Sequence, residues 1–286
     1  MLFKEYKSTF LQELSPLYDE KEIESFFYLI LEQFHTIKRI DLALNPALEM
    51  DALQLLRWEH VVSELKKYKP IQYVLGETEF YGLPFLVNEN TLIPRPETEE
   101  LVDLIIKDLQ TNTASFKILD IGTGSGCIAI SLAKNLPTAK VFALDVSEKA
   151  LETATKNAEL NNLNVQFLQK NILETTDLGV QFDVIVSNPP YVRILEKEEI
   201  HPNVLEYEPH LALFVEDDDA LLFYRKIAQL AQKNLTKTGS LYFEINQYLG
   251  KETVELLESM GFKDVRLIND IYGNDRIISC NRKDSL

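Results

Sequence analysis

Apolar positions follow three successive rhythms along the chain. From residue 1 to about 72 they recur at helical spacing. Ile23, Phe26, Phe27, Leu29, Ile30, Leu31 and Phe34 do so in "EKEIESFFYLILEQF", and Leu53, Leu55, Leu56, Val61, Val62 and Leu65 in "DALQLLRWEHVVSELKKY". Pro46 and its polar neighbours separate the two patterns, and no glycine precedes Gly76. Residues 1–72 thus predict a small helical domain, suited to docking a partner rather than to catalysis. Residues 73–95 carry the second rhythm. Phe80 and Tyr81, then Phe85, Leu86 and Val87, read as two short strands turning at Gly82, a hairpin linking the domains.

The third rhythm fills residues 96–286. Pro96 suits the first turn of a helix over about 97–109, and Glu97, Glu99 and Glu100 complement its positive end. Arg95 is unfavourable there, which is either a hint of function or, more ordinarily, a sign of an ion pair with a neighbouring glutamate. Apolar strands follow at 116–121, 139–145, 164–168, 182–187, 239–244, 262–268 and 275–280. Helical segments near 126–135, 148–161, 217–236 and 250–260 lie between them. This alternation predicts an α/β fold: a seven-stranded, mostly parallel sheet with helices on both faces. Only the short loop "NDIYGND" separates the last two strands, so the last strand is expected to be antiparallel.

Composition narrows the function classes. A hydrophobic fraction of 45% and a charged fraction of 26% are ordinary for a soluble globular protein, and no apolar run approaches bilayer length. The N-terminus lacks the apolar core of a secretory signal. Cys127 and Cys280 are the only cysteines, and His35, His60, His201 and His210 are scattered. That argues against a disulfide framework and a structural metal site, and it fits the cytoplasm. The net charge of −16 disfavours duplex nucleic acid as main partner, because such partners reward a basic face.

The chemistry gathers at strand ends. "FKILDIGTGSGCIAISLAK" is a strand, a glycine turn and a helix, with Gly122, Gly124 and Gly126 in G-x-G-x-G spacing. Such glycines let a ligand approach the backbone. Asp120, just before them, would repel a diphosphate but welcome a cationic amino-acid portion. Asp145 ends the next strand, placed to accept both hydroxyl protons of a ribose. Asn171 can offer a side-chain oxygen to an adenine amino group, with Ile172 against the ring. A nucleoside without a diphosphate fits best, and S-adenosylmethionine is one.

"FDVIVSNPPYV" begins as a buried strand and ends in Asn188, Pro189, Pro190 and Tyr191. Prolines fix φ and remove N–H donors, which leaves carbonyls free to face a substrate. The Asn188 oxygen and the Pro189 carbonyl can accept the two hydrogens of a planar NH2 group, while Tyr191 offers a flat face for it.

"DIGTGSG", "ALDVS" and "VSNPPY", in this order on successive strands, resemble class I S-adenosylmethionine-dependent methyltransferases acting on planar nitrogen. "PIQYVLGETEFYGLPFLVNENTLIPRPETEELV" and "YEPHLALF" look like the HemK/PrmC family of release factor glutamine methyltransferases. The resemblance runs from about residue 70 to the C-terminus, with a leading helical domain also expected of the family. It implies a Rossmann-like fold and a cofactor held by Gly122, Gly124, Gly126 and Asp145, with Thr123, Ser125 and Val146 beside them. The implied acceptor is the glutamine of a Gly-Gly-Gln (GGQ) loop in a peptide chain release factor, with S-adenosylhomocysteine as product. A monomer without membrane association is expected. The rival readings are a nucleic-acid adenine N-methyltransferase, which needs a basic surface, and a binding module that kept the fold without turnover.

Overall fold

A computed structural model describes residues 1–282, and the chain divides into two compact units. Residues 1–76 and 202–207 form the smaller one. It contains α1 (Phe3–Leu14), α2 (Glu20–His35), α3 (Arg39–Leu44), α4 (Ala52–Leu65) and α5 (Ile71–Leu75). Two of these helices begin at an aspartate that accepts backbone N–H bonds, Asp19 for α2 and Asp51 for α4. The amphipathic faces close on the fully buried Trp58, whose indole nitrogen donates to His35 Nε2 at 2.9 Å. Burial and the nearby Arg57 keep that imidazole below its ordinary pKa, in the neutral form an acceptor requires.

Residues 77–201 and 208 onward form the larger unit. Its hairpin joins β1 (Glu77–Phe80) to β2 (Leu83–Leu86) through Tyr81 at φ 50° and Gly82 at φ 71°. Two successive left-handed residues match the right-handed twist of the flanking strands. After α6 (Pro96–Leu109) come β3 (Phe116–Ile121), α7 (Cys127–Asn135), β4 (Ala139–Asp145), α8 (Glu148–Leu160), β5 (Val165–Gln169) and β6 (Phe182–Ser187). A connecting stretch holds β7 (Val192–Arg193), the short α9 (Pro202–Tyr207) that belongs to the smaller unit, and β8 (Phe214–Val215), which pairs with β7. The chain then continues as α10 (Leu222–Asn234), β9 (Leu235–Glu244), α11 (Gly250–Ser259), β10 (Lys263–Asn269) and β11 (Asp275–Asn281).

Seven strands align in the order β10-β11-β9-β6-β3-β4-β5. All neighbours from β9 to β5 are parallel, and β11 is antiparallel to both β9 and β10. The expected antiparallel last strand is therefore present, and it lies inside the sheet rather than at its edge. The central strands are apolar because both faces are covered: Ile118, Leu119, Ile185 and Val186 are fully buried. Successive strands spread to one side of β3 through β4 and β5, and then to the other through β6. A crevice opens at that switch point, above the carboxyl ends of the strands.

The expected boundaries around one helix moved. The helix expected over 217–236 begins only at Leu222. Asp217–Asp219 form a separate turn, and both carboxylate oxygens of Asp219 accept from the Arg225 guanidinium. Leu235 onward is already strand, the side that Leu235, Thr236 and the parallel neighbour Phe182 favour.

Candidate active site

A mostly apolar cavity occupies the crevice, with about 1050 Å³ of empty space including its mouth, room for a nucleoside-sized ligand. Gly122 and Gly124, Asp145 and Val146, Asn171 and Ile172, and Asn188 with Pro189 and Pro190 all line it. Residues from the ends of β3, β4, β5 and β6, about 66 positions apart at the extremes, thus share one wall. Register explains the convergence: Ile121 pairs with Leu144 on one side and Ser187 on the other, so the three strands end at one level.

Gly122 at φ 75° and Gly124 at φ 53° occupy backbone conformations that side chains resist, and a Cβ on either would project into open space. Gly124 N–H donates to Asp145 Oδ2 at 2.9 Å, and Ser147 N–H donates to Oδ1 at 2.9 Å. Each carboxylate oxygen keeps a second acceptor position, which two vicinal hydroxyls can use. Burial pushes the Asp145 carboxyl up, and backbone donors from Ser147, Gly124 and Val146 oppose that shift. The donor set suits a nucleoside: a carboxylate for ribose, glycines for close approach and Ile172 for an apolar ring face.

Five residues expected at the cofactor or acceptor lie off the cavity wall. Asp120 is fully buried beneath the turn; Thr123 donates to its Oδ2 at 2.5 Å, and Oδ1 has no hydrogen-bond partner among the described residues. Burial pushes the Asp120 carboxyl up to about 7. Ser125 is buried as well. Gly126 caps α7 at φ 83°, where an added Cβ would meet Ile130 Cδ1 at 2.9 Å and Ala154 Cβ at 3.1 Å. It serves the close approach of α7 and α8, not the ligand. Tyr191 is partly buried against the core, and its hydroxyl is fixed by donation to Glu244 Oε1 at 3.1 Å.

Asn171 does line the cavity, yet its side chain is engaged locally. Oδ1 accepts from Leu173 N–H at 3.0 Å and Nδ2 donates to Glu174 at 3.1 Å. Ile172 beside it remains apolar wall.

At the opposite end, Asn188 Nδ2 donates to Thr98 Oγ1 at 3.2 Å, and Thr98 donates to Glu244 Oε2 at 2.6 Å. Thr98 and Glu244 are buried, and burial pushes the Glu244 carboxyl up against the bonds from Thr98 and Tyr191. Thr98 and Glu244 are absent from the sequence-based expectations. An acid closing the apolar run "LYFE" was the available signal for Glu244. Arg95 pairs with Glu208 rather than with a neighbouring glutamate, and Glu208 also accepts from Ile93 N–H at 3.1 Å. That ion pair fastens the stretch before α6 to the stretch beginning at Glu208, and the two contribute to the cavity wall through Leu92, Pro209 and Leu211. Asn157 does similar work for the hairpin. It accepts from Leu86 N–H at 2.7 Å and donates to the carbonyls of Leu86 (3.0 Å) and Ser125 (2.9 Å), tying β2 to the glycine turn.

Comparison with known proteins agrees with this geometry. Residues 97–207 match the family model described as methyltransferase small domain, and residues 8–76 match the PrmC N-terminal domain. A release factor glutamine methyltransferase from Flavobacterium psychrophilum is 68% identical over 98% of this chain and 99% of its own. One from Bacteroides thetaiotaomicron is 46% identical over 95% of this chain and 97% of its own. Among solved structures, the Thermus thermophilus 16S rRNA N2 G1207 methyltransferase, in complex with AdoMet and guanosine, shares the fold. Its TM-score is 0.52 at 18% identity, over 72% of this chain and 50% of that one. Identity and coverage at these levels decide the assignment: the chain belongs to the release factor glutamine methyltransferase family.

Proposed function

We propose that this chain transfers a methyl group from S-adenosylmethionine to the side-chain amide nitrogen of the glutamine in the GGQ loop of peptide chain release factors. One observation carries the reading: Asn188, anchored through its NH2 group, shares a cavity wall with the glycine turn and Asp145. When bound, the cofactor supplies an electrophilic sulfonium methyl. Gly122, Gly124, Asp145 and Ile172 would hold its nucleoside.

The acceptor nitrogen is a weak nucleophile, since its lone pair is shared with the carbonyl. The chain assists by orientation. Asn188 Oδ1 and the Pro189 carbonyl accept the two amide hydrogens and aim the nitrogen along one line of approach. A neutral acceptor leaves both protons in place until the methyl has moved, after which the nitrogen is acidic and loses one. The prolines contribute no competing donors.

The helical unit is proposed to dock the release factor. The cytoplasm is the proposed compartment, and both cysteines are free and buried, as a reducing setting allows. No helix among the described residues is long and apolar enough to cross a membrane.

The test uses the full chain with labelled S-adenosylmethionine and a class I release factor, beside the same factor carrying Gln→Ala in its GGQ loop. Label is expected on the first alone. Equal label on both would refute glutamine as acceptor, and label on added DNA or RNA instead would favour the adenine reading.

A further inference from the structure

Thr98 lies in "LIPRPETE", where Leu92 lines the cavity and Arg95 pairs with Glu208, and its own side chain is a separate feature of that stretch. Its hydroxyl has one proton, and that proton goes to Glu244 Oε2 at 2.6 Å. Glu244 takes one donor on each oxygen, Thr98 on Oε2 and Tyr191 on Oε1 at 3.1 Å. With its proton committed, the Thr98 oxygen can only accept from its other neighbour, and Asn188 Nδ2 donates to it at 3.2 Å. The chain of bonds therefore has a direction. It runs from the Asn188 amide through Thr98 into a carboxylate, and Thr98 and Glu244 are both inaccessible to solvent that could reverse it.

The two ends of an asparagine amide are nearly equal in size and opposite in polarity. Oxygen toward the acceptor gathers an N–H; the flipped amide would set N–H against N–H. We propose that Thr98 and Glu244 are positioning residues that fix the polarity of the Asn188 amide, so that its oxygen faces the acceptor nitrogen's hydrogens. Through them the site selects acceptors with an NH2 to donate. The inference rests on the proposed glutamine methylation and adds to it the groups that orient its hydrogen-bond acceptor.

The experiment compares Thr98→Val, which keeps shape and removes the hydroxyl, with Thr98→Ser, which keeps the hydroxyl. Each full-length variant is assayed with S-adenosylmethionine and a class I release factor, and its affinity for S-adenosylhomocysteine is measured by calorimetry. Thr98→Val is expected to lower kcat at least tenfold with the cofactor-product affinity within twofold of the parent. Thr98→Ser is expected to retain most of kcat. A Thr98→Val kcat within twofold of the parent overturns the proposal, as does a Thr98→Ser loss equal to that of Thr98→Val. Should Thr98→Val fail to fold, Glu244→Gln carries the test. An amide there offers one donor and one acceptor to two hydroxyls and lets the Thr98 proton turn toward Asn188, so kcat falls while cofactor-product affinity holds. Parent-level kcat in Glu244→Gln overturns the inference. Failure of the parent chain itself to methylate glutamine would overturn the function instead, which keeps the two outcomes apart.

Discussion

The two ends of the cavity are built differently. The cofactor end is backbone: a turn with two left-handed glycines, and an aspartate whose orientation comes from the N–H groups of Gly124 and Ser147. The glycine turn and the aspartate arise from two neighbouring strand–turn–helix units, with Gly122 and Ser147 25 residues apart. The acceptor end is side chain: Asn188 is oriented by Thr98 from α6, which is oriented by Glu244 from β9, 146 positions away. A backbone cradle tolerates change around it but not in its φ angles, whereas a side-chain relay tolerates backbone drift but not loss of a hydroxyl. The cofactor end can thus serve many methyl acceptors, and selectivity has to sit at the other end.

Substitutions at the two ends should therefore separate rate from affinity. The largest effect is expected of Asn188→Ala, which removes one of the two acceptors proposed to surround the reacting nitrogen. By analogy with loss of one oriented hydrogen-bonding group in other active sites, kcat should fall by about 10²–10³-fold. Calorimetry with S-adenosylhomocysteine should find the affinity nearly unchanged, and a parallel loss would dissolve the distinction between the ends.

Gly126→Ala should come next, acting on stability rather than on either end. The new methyl meets Ile130 and Ala154 in a left-handed backbone conformation, so a cost of about 1–3 kcal/mol is expected in denaturant unfolding. An unchanged midpoint would show that α7 and α8 can separate at little cost.

Asp120→Asn sharpens the comparison through pH. The folded carboxyl titrates near 7, above the ordinary value of 3.8, because burial penalises its charge. A raised folded pKa means stability that is complete below about 4 and is lost as pH rises through about 7. At pH 8 the ligand-free Asp120→Asn protein should therefore melt higher than the parent. Identical melting at pH 5 and pH 8, relative to the parent, would remove the buried charge from the account. The smallest effect belongs to Asn171→Ala. Its side chain is occupied by Leu173 and Glu174, so cofactor-product affinity should change by no more than about threefold, the scale of a partly exposed neutral hydrogen bond.

The same contrast explains what the sequence made legible. Glycine spacing, Asp145 and "NPPY" are local signals, and strand–helix alternation sets their common level at the sheet edge, so the cavity wall could be anticipated. Gly126 could not be sorted from Gly122 and Gly124, because the three share one motif and only the approach of Ala154 on another helix separates them. The anchoring of the Tyr191 hydroxyl was hidden for a similar reason: the Glu244 carboxylate that accepts it lies 53 positions on. The pairing of Arg95 with Glu208, 113 positions apart, is likewise a product of tertiary packing alone. Short, non-periodic pieces such as β7 and β8 offer too few positions to show a rhythm.

The central claim is that binding and transfer reside at opposite ends of one cavity. It is tested most directly by measuring the saturating methyl-transfer rate and the S-adenosylhomocysteine Kd on Asp145→Ala and Asn188→Ala side by side. The predicted result is crossed: Asp145→Ala weakens Kd about 10–100-fold, as loss of a charged hydrogen-bonding partner does, yet keeps most of the saturating rate. Asn188→Ala loses the rate and keeps Kd. Both variants losing rate and affinity in the same proportion would contradict it.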